Sequence, residues 1–171
     1  VHHIAGSGDM VNMLMGAELG ITDKVLLEDL KCNPLAKVES MFSIRLEDET
    51  VKFFDSPLDP QLFARVVILK EDEMIPLPGN LKLEKIRAAR RDAKRKVFVT
   101  NAMRALKQVA PAGNIRLLDF VVLLGGSALD FEIPEMISDA LANYGVVAGR
   151  GNIRGKEGPR NAVATGLVLN R

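Results

Sequence analysis

The sequence has 171 residues, of which 47% are hydrophobic and 26% charged, and 23 Lys and Arg against 22 Asp and Glu give a net charge of +1. This composition excludes a collagen-like chain, a disulfide-dense scaffold and a wholly disordered segment. The balanced charge gives no reason to expect a nucleic acid or an anionic membrane as partner, and no apolar run of about 18 residues predicts a membrane span.

The single cysteine, Cys32, limits what the chain can do with sulfur. One cysteine cannot form an intramolecular disulfide, and a cysteine-based zinc site is not expected. We therefore expect a cytoplasmic protein, and no signal peptide is visible. The chain begins at Val1, without a methionine, in a segment typical of the end of a strand, so we expect further sequence upstream.

The first third of the chain is predicted to be mainly helical, because apolar residues recur at helical spacing between small-residue and capping signals. The elements predicted here are a strand over 1–5, a small-residue turn over 6–9, a helix over 9–19 that Gly20 ends, and a helix from Thr22 or Asp23 to about Lys31.

Residues 36–54 show the alternation of apolar and polar side chains that is typical of strands. The pattern predicts a hairpin with strands over 36–46 and 50–54. Asp59-Pro60 then favours a helix near 60–66, although the β-branched residues at 66–69 also suit a strand. A loop is predicted around Pro76 to Asn80.

The longest predicted element is a helix over 81–109, where apolar residues form one helical stripe. Seven cations lie between residues 85 and 96: Lys85, Arg87, Arg90, Arg91, Lys94, Arg95 and Lys96. Such a run suits a nucleic acid, a solvated helix face or an acidic protein partner. Because no aromatic residues are interleaved with the cations and the net charge is near zero, we expect no nucleic-acid partner.

The last third alternates strands and helices with short links, which is typical of a parallel α/β unit. The continuous apolar run 120–124 predicts a strand buried on both faces. The remaining predicted elements are a helix from Pro134 to Asn143, a short buried strand over 145–148, a glycine-rich basic loop over 149–159 and a helix over 160–169.

Two glycine-rich loops are candidates for ligand contacts. Gly125, Gly126 and Ser127 follow the end of a strand, where open α/β sheets bind ligands and where glycine lets a ligand approach the backbone. The basic loop 149–160 suits an anion or a guanidinium stacked on a base. Taken alone, the first loop is equally typical of a ligand contact and of a tight turn. The second loop, taken alone, is more typical of a flexible solvated connection than of a ligand site.

A third candidate is the pair Glu28 and Lys31 on one helix face, which by spacing alone is typical of a surface ion pair. The adjacent His2 and His3 would point to opposite faces of a strand and are not expected to share a metal. The residue types therefore identify no catalytic group of side chains.

Several stretches, taken together, resemble a known family. They are Pro34-Leu-Ala-Lys-Val-Glu-Ser40, Leu83-Glu-Lys-Ile-Arg87, Gly125-Gly-Ser-Ala-Leu-Asp-Phe-Glu-Ile-Pro134 and Gly151-Asn-Ile-Arg-Gly155 through Gly166. Over essentially its whole length the chain resembles the large subunit of the diol/glycerol dehydratase reactivases. More widely, the segment from His3 to Asn12, the pair Glu28 and Lys31, and the segment 120–127 resemble the second lobe of the ATPase superfamily of actin and heat-shock chaperones.

The resemblance implies an α/β fold that is part of the second lobe of an actin-like, ribonuclease-H-like ATPase, together with an α+β subdomain. On this basis residues 1–118 are expected to form a helical and hairpin subdomain. Residues 119–171 are expected to form the C-terminal strand-helix-strand-helix unit of the ATPase core. The upstream lobe is expected to be missing from this chain.

The resemblance also implies a function. Members of this family are chaperone-like ATPases that reactivate coenzyme-B12-dependent diol or glycerol dehydratase by releasing damaged cobalamin, and the large subunit works with a small reactivase subunit. We expect this chain to be a nucleotide-binding fragment that does not hydrolyse ATP by itself. The alternative is a non-hydrolysing module that docks onto the dehydratase or the small subunit.

The residues that match the family's motifs are expected to contact ATP or ADP. They are the helical segment Glu28, Asp29, Leu30 and Lys31, the loop Gly125, Gly126 and Ser127, and Arg160, with Gly6 and Gly8 at the small-residue turn of the lobe cleft. The family's Mg²⁺ ligands are expected to lie upstream of this chain, which therefore supplies none, and the catalytic residues stay unknown.

Overall fold

The computed structural model describes residues 2–152, 155–156 and 158–169. The chain is mixed α/β, as predicted, and divides into two compact units. The sheet unit comprises residues 8–93, and the terminal unit combines residues 1–7 with residues 94–171. The domain boundary expected between residues 118 and 119 falls inside the terminal unit.

The sheet unit begins with two helices, α1 (Gly8–Leu19) and α2 (Lys24–Cys32), which confirm the two helices predicted there. Gly20 ends α1 with a φ of +68°, a conformation that favours glycine. The Asp23 carboxylate caps α2 by accepting hydrogen bonds from two backbone N–H groups of the first turn, at 2.9 and 3.1 Å. Sequence signals at the helix ends therefore fix this part of the fold.

An antiparallel sheet of five strands follows, in the order β3-β2-β1-β4-β5. Its strands are β1 (Leu35–Ser40), β2 (Ser43–Leu46), β3 (Val51–Phe53), β4 (Val66–Lys70) and β5 (Glu73–Pro76).

The sheet corrects the predicted hairpin. Residues 36–46, predicted as one strand, form β1 and β2 with a tight turn at Met41 and Phe42. The prediction failed because a two-residue turn hardly interrupts an alternating pattern. Residues 73–76, of which Pro76 was assigned to a loop, form the edge strand β5, a position that tolerates proline.

The open choice between helix and strand at residue 66 is settled by backbone pairing, because residues 66–70 pair with β1 and β5. Pro60–Leu62 form only a 3₁₀ turn, in which Asp59 accepts a hydrogen bond from the backbone N–H of Gln61 at 2.9 Å. Residues 66–68 are all buried and belong to β4, so the strand interpretation is confirmed and the helix near 60–66 is wrong beyond its first turn.

Both faces of the central strands β1 and β4 are buried. Ala36, Val38 and Val67 form a hydrophobic cluster on one face, with Ile44 of β2. Leu35, Val66 and Ile68 alternate onto the opposite face and are also buried, so the centre of the sheet is a core and not a surface.

A buried ion pair connects this sheet to α3 (Leu83–Lys94). The guanidinium of Arg90 is fully buried and donates two hydrogen bonds to the Glu47 carboxylate, at 2.8 and 2.7 Å, and one to the Asn33 carbonyl at 3.2 Å. Glu47 also accepts a hydrogen bond from the Leu35 backbone N–H at 2.5 Å. The pair therefore fixes α3, the turn after β2 and the start of β1 together.

The predicted long helix over 81–109 is confirmed with one irregularity. After α3, residues Arg95–Val99 form a π-helical turn, and α4 (Thr100–Val109) continues from it. The Thr100 backbone N–H bonds to the Arg95 carbonyl, five residues back. The irregular turn contains Val97 and Val99, whose β-branched side chains favour a strand locally, and the flanking helical pattern prevails.

The terminal unit contains two parallel strands joined by a helix, as predicted for the last third. They are β6 (Phe120–Leu123), α5 (Ile133–Ala142) and β7 (Val147–Arg150), followed by α6 (Ala162–Leu169). The core of this unit consists of Val99, Ile115, Ile133, Met136, Ile137, Leu141 and Val146.

Three predictions for this unit are wrong. The strand expected to be buried over 145–148 is β7 (Val147–Arg150), and three of its four residues are exposed. The strand 120–124 was expected to be buried on both faces, but Phe120 is 69% exposed and Val147 of the paired strand 70% exposed. Within the described residues only one face of the two-stranded sheet is covered, by the core cluster that contacts Val121 and Leu123. The strand expected over 1–5 is absent from residues 2–5, where no neighbouring strand provides hydrogen bonds.

A second buried charge cluster lies in the terminal unit. The Lys94 ammonium is fully buried and donates hydrogen bonds to Asp130 at 2.9 and 3.0 Å and to Glu132 at 2.9 Å. It also lies 4.5 Å from the centre of the Phe131 ring. Asp130 in turn accepts from the backbone N–H groups of Glu132 and Ile133, so it caps α5. One ammonium thus fixes the segment between the Gly125 loop and α5.

The predicted cationic run between residues 85 and 96 is therefore not one exposed face. Arg90 and Lys94 are each 0% exposed and point to internal carboxylates, and Arg87 lies 3.6 Å from Glu47. A solvated face and a nucleic-acid surface both require these cations outside, so both interpretations fail for the two buried residues.

We expect Arg90→Met to lower the free energy of unfolding by about 3–5 kcal/mol, because it leaves the Glu47 carboxylate buried without its partner. Urea unfolding measures the loss. The control is Arg45→Met, which breaks the exposed pair of Arg45 with Glu39 in the same sheet and should change little. Equal effects in the two variants would contradict the role of burial.

We expect Lys94→Met to destabilise the terminal unit by about 3–5 kcal/mol, because two carboxylates lose their counter-ion. Hydrogen exchange should rise locally at the amides of residues 126–133. The triple variant Lys94→Met, Asp130→Asn, Glu132→Gln should recover part of the loss, since no unpaired charge stays behind. Lys107→Met, at an exposed lysine of α4, is the control, and exchange that rises as much there would refute the assignment.

Candidate functional site

The predicted site segment on α2 forms a polar cluster with α1. The Glu28 carboxylate accepts hydrogen bonds from the Lys31 ammonium at 2.6 Å and from the Asn12 side-chain amide at 2.7 Å. The Cys32 thiol lies 3.5 Å from the other Glu28 oxygen. The side chain of Lys31 is 13% exposed and that of Glu28 50% exposed, so the carboxylate is the open side of the cluster.

The charge state of this cluster follows from its contacts. The hydrogen bond from Lys31 is the largest influence and, with those from Asn12 and Cys32, lowers the pKa of Glu28, against a smaller opposing effect of burial. Glu28 is therefore ionised at neutral pH and balances the charge of Lys31. The cluster offers both donors and acceptors but no net charge.

Gly8 allows Lys31 to reach this position. A Cβ on residue 8 would lie 2.9 Å from the Lys31 nitrogen, so a larger side chain would displace the ammonium. The resemblance assigned Gly8 to the small-residue turn of a cleft, and the structure places it at the first residue of α1, directly against a predicted ligand contact.

The two residues between Glu28 and Lys31 have other partners. Leu30 is fully buried, so its side chain is part of the hydrophobic core. The Asp29 carboxylate forms an ion pair with the ammonium of Lys70 in β4 at 2.8 Å, and the side chain of Asp29 is 14% exposed. Of the four residues predicted on this helix, Glu28 and Lys31 therefore present the polar groups that form the cluster.

The second predicted site segment, Gly125-Gly126-Ser127, forms an open turn after β6. Gly125 has a φ of +88°, which favours glycine, and a 3₁₀ turn over Gly126–Leu129 follows. A Cβ on Gly125 or Gly126 would meet no atom within 4 Å. Space above this backbone is therefore open, and the glycines are not required there for internal packing.

The third predicted site residue, Arg160, is exposed and lies next to this loop. The Gly125 backbone N–H donates a hydrogen bond to the carbonyl of Pro159 at 2.8 Å. This bond brings together two segments that the sequence separates by more than thirty residues. Ile153, Arg154 and Glu157 of the predicted basic loop lie outside the described residues.

Ser127 also borders a cavity of about 290 Å³ within the terminal unit. Its walls are mostly apolar, with polar groups from Ser127, Asn101 and His2. Asn101 donates a hydrogen bond to the Ala5 carbonyl at 2.8 Å, which holds the N-terminal segment at the edge of the cavity. An apolar cavity with a few polar groups is typical of small-ligand sites.

Sequence reasoning did not single out Asn12 or Asn101, and it named Lys94 only as one of a run of cations. Asn12 lies one helical turn after Gly8, and that spacing was a usable signal for a contact on the same helix face. The partners of Asn101 and Lys94 gave no signal, because each of these residues bonds to groups 36 or more residues away in the chain.

The described residues lack a group of metal ligands and a membrane-spanning helix. No three His, Cys, Asp or Glu side chains in them group as metal ligands would. Nor does any helix among them combine the length and apolar character that crossing a bilayer requires.

Comparison with known proteins gives consistent matches along the whole chain. A family model described as "Diol dehydratase reactivase ATPase-like domain" matches residues 1–171. The chain is 64% identical over 168 residues to the diol dehydratase-reactivating factor large subunit of Klebsiella michiganensis, and equally to the propanediol dehydratase-reactivating factor large subunit of Salmonella typhimurium. These alignments cover 98% of this chain but only 28% of each relative.

Two solved structures have the same fold. The structure of diol dehydratase-reactivating factor in nucleotide-free form matches with a TM-score of 0.90 and 63% identity, and glycerol dehydratase reactivase with 0.92 and 60%. Each match covers 99% of this chain and 28% of the other. The chain therefore belongs to the family of diol dehydratase reactivase ATPase-like domains.

Proposed function

We propose that this chain is the C-terminal nucleotide-binding part of the large subunit of a diol/glycerol dehydratase reactivase, within an ATPase of actin-like fold. The observation that carries the proposal is the match of all 171 residues to a domain described as ATPase-like. One similar structure is described as nucleotide-free, which supports a nucleotide as the ligand.

The loop Gly125-Gly126-Ser127 supports the proposal through its geometry. It follows the carboxyl end of a parallel strand, where α/β proteins bind ligands, and open space lies above its backbone. Arg160 is exposed one residue beyond the carbonyl that holds Gly125. On this proposal the loop contacts the nucleotide through its backbone, and the Arg160 guanidinium stacks on adenine.

The cluster of Glu28, Lys31 and Asn12 supports a contact with the sugar more than with phosphate. A hydroxyl both donates and accepts, and this cluster presents a carboxylate and an ammonium that already balance each other. A phosphate would have to compete with Glu28 for Lys31. We therefore propose that Glu28 and Lys31 bind ribose hydroxyls.

The activity proposed for the full-length protein needs more than this chain, which spans little more than a quarter of the length of the relatives it matches. In that protein, binding and hydrolysis of ATP release damaged cobalamin from a coenzyme-B12-dependent dehydratase in the cytoplasm, together with a small reactivase subunit. The described residues hold no acidic cluster for Mg²⁺, so the proposal places its ligands in the rest of the polypeptide.

The exposed apolar face of β6 and β7 fits a piece of a longer protein. Phe120, Val122, Leu124 and Val147 are 46–70% exposed on this short sheet. Burying such side chains is favourable by roughly 1.5–3 kcal/mol each. We propose that the upstream part of the polypeptide covers this face in the full-length protein.

We expect Arg160→Ala to weaken Mg-ADP binding by the full-length protein about tenfold or more, which corresponds to about 1.4 kcal/mol. Titration calorimetry measures the change. Arg104→Ala, which removes an exposed arginine of α4, is the matched control and should bind as the unsubstituted protein does. If the unsubstituted protein binds no nucleotide, the proposal fails and a docking module that uses no ATP becomes the better assignment.

We expect substitutions at Gly126 to block the nucleotide without disturbing the fold. A Cβ there meets no protein atom within 4 Å, so Gly126→Ala and Gly126→Val should keep the melting temperature nearly unchanged. The larger side chain should cost more affinity for ADP, because it occupies more of the space above the loop. Full affinity in Gly126→Val would show that the nucleotide does not approach this backbone.

A further inference from the structure

The sheet unit contains a second cavity, of about 810 Å³, that the proposed nucleotide contacts do not use. It is lined by residues of the central strands β1 and β4, by the turn before β4, and by the loop that leads into α3. The side chains that define its chemistry are Lys37, Phe63, Arg65, Leu81, Lys82 and Glu84.

The charge of this cavity is unbalanced. Three cations and one carboxylate line it, and among the described residues these cations lack the carboxylate partner that Arg45 has in Glu39 and Lys70 in Asp29. Lys37 and Lys82 form no ion pair within the described residues. Lys37 interacts with Glu39 only at longer range, since the nearest partner of that carboxylate is Arg45 at 2.7 Å, which with a smaller effect of Lys37 lowers the pKa of Glu39.

Hydrogen bonds fix the backbone and one side chain in the wall of the cavity. Arg65 donates a hydrogen bond to the Leu77 carbonyl at 2.8 Å, which fixes one side of its guanidinium. Ala64, beside it, has a φ of +61°, and its backbone N–H donates to the Val38 carbonyl at 3.0 Å. A non-glycine residue in this conformation persists only where the surroundings hold it. Phe63, next to this turn, lines the cavity and is 56% exposed.

We propose that this cavity binds an acidic peptide segment of a partner protein, one that carries an apolar residue among its carboxylates. The cations come from three separate elements: Lys37 from β1, Arg65 from the turn before β4, and Lys82 from the loop before α3. The three cations are therefore spread along the cavity and do not converge on one point. This arrangement suits a peptide with several carboxylates in a row. Phe63 and Leu81 supply an apolar contact that a small anion would not use.

The test uses the full-length protein and a fluorescein-labelled peptide of glutamates around one leucine, with binding followed by fluorescence anisotropy. Lys37→Gln with Lys82→Gln should weaken binding about tenfold, because two unpaired charges are lost at the cavity. Lys24→Gln with Lys52→Gln removes the same charge from exposed lysines elsewhere in the sheet unit and should change affinity less than about twofold. Phe63→Ser should also weaken binding.

Three results would overturn the proposal. The first is absence of peptide binding by the unsubstituted protein. The second is an equal loss in the two double variants, which would mean general attraction between charges. The third is binding of tripolyphosphate at Lys37 and Lys82 with no binding of the peptide, which would make the cavity a small-anion site. None of these bears on ADP binding, so the nucleotide proposal is tested separately.

Discussion

The terminal unit depends on the burial of one ammonium group. Lys94 is 0% exposed, and its ion pairs with Asp130 and Glu132 compensate for the loss of water around three charged groups. Because Asp130 also caps α5, the same cluster sets where the helix begins and where the Gly125 loop must end. The loop can therefore stay open to solvent at Gly126 while its C-terminal end is held by buried charges.

The sheet unit is also stabilised by a buried cation paired with a carboxylate. Arg90 and Glu47 join a helix to a turn 43 residues earlier, and Glu47 in addition satisfies the first backbone N–H of β1. A point charge would hold the turn less specifically than the planar guanidinium, whose two hydrogen bonds to one carboxylate fix an orientation. Arg90 and Lys94, on neighbouring turns of one basic helix, thus stabilise the fold. The run of cations is therefore better evidence of internal ion pairs than of a binding partner.

Local signals explain what the sequence predicted and what it missed. The helices were predictable, because Gly20, Asp23 and Pro134 mark their ends within a few residues of the apolar stripe. The turn inside 36–46 and the one-sided burial of Phe120 were not, since alternation and apolar runs do not state how many neighbours a strand has. Of the candidate site, residue types predicted the Glu28–Lys31 pair. The bond from Gly125 to Pro159 joins two backbones and leaves no trace in side-chain identity.

The charges of the side chains at the proposed nucleotide contacts limit which part of a nucleotide these contacts can bind. Lys31 is already balanced by Glu28, whose lowered pKa keeps it ionised at neutral pH. The Glu28–Lys31 pair therefore carries no net charge that would attract a phosphate group. The Gly125 loop offers only backbone groups and the hydroxyl of Ser127. Within the proposed site only Arg160 carries an unbalanced charge among the described side chains. On the proposed function, the charged side chains of this chain therefore favour the sugar and base, which ATP and ADP share. If that proposal holds, side chains in the remainder of the polypeptide would distinguish the two nucleotides through their phosphates.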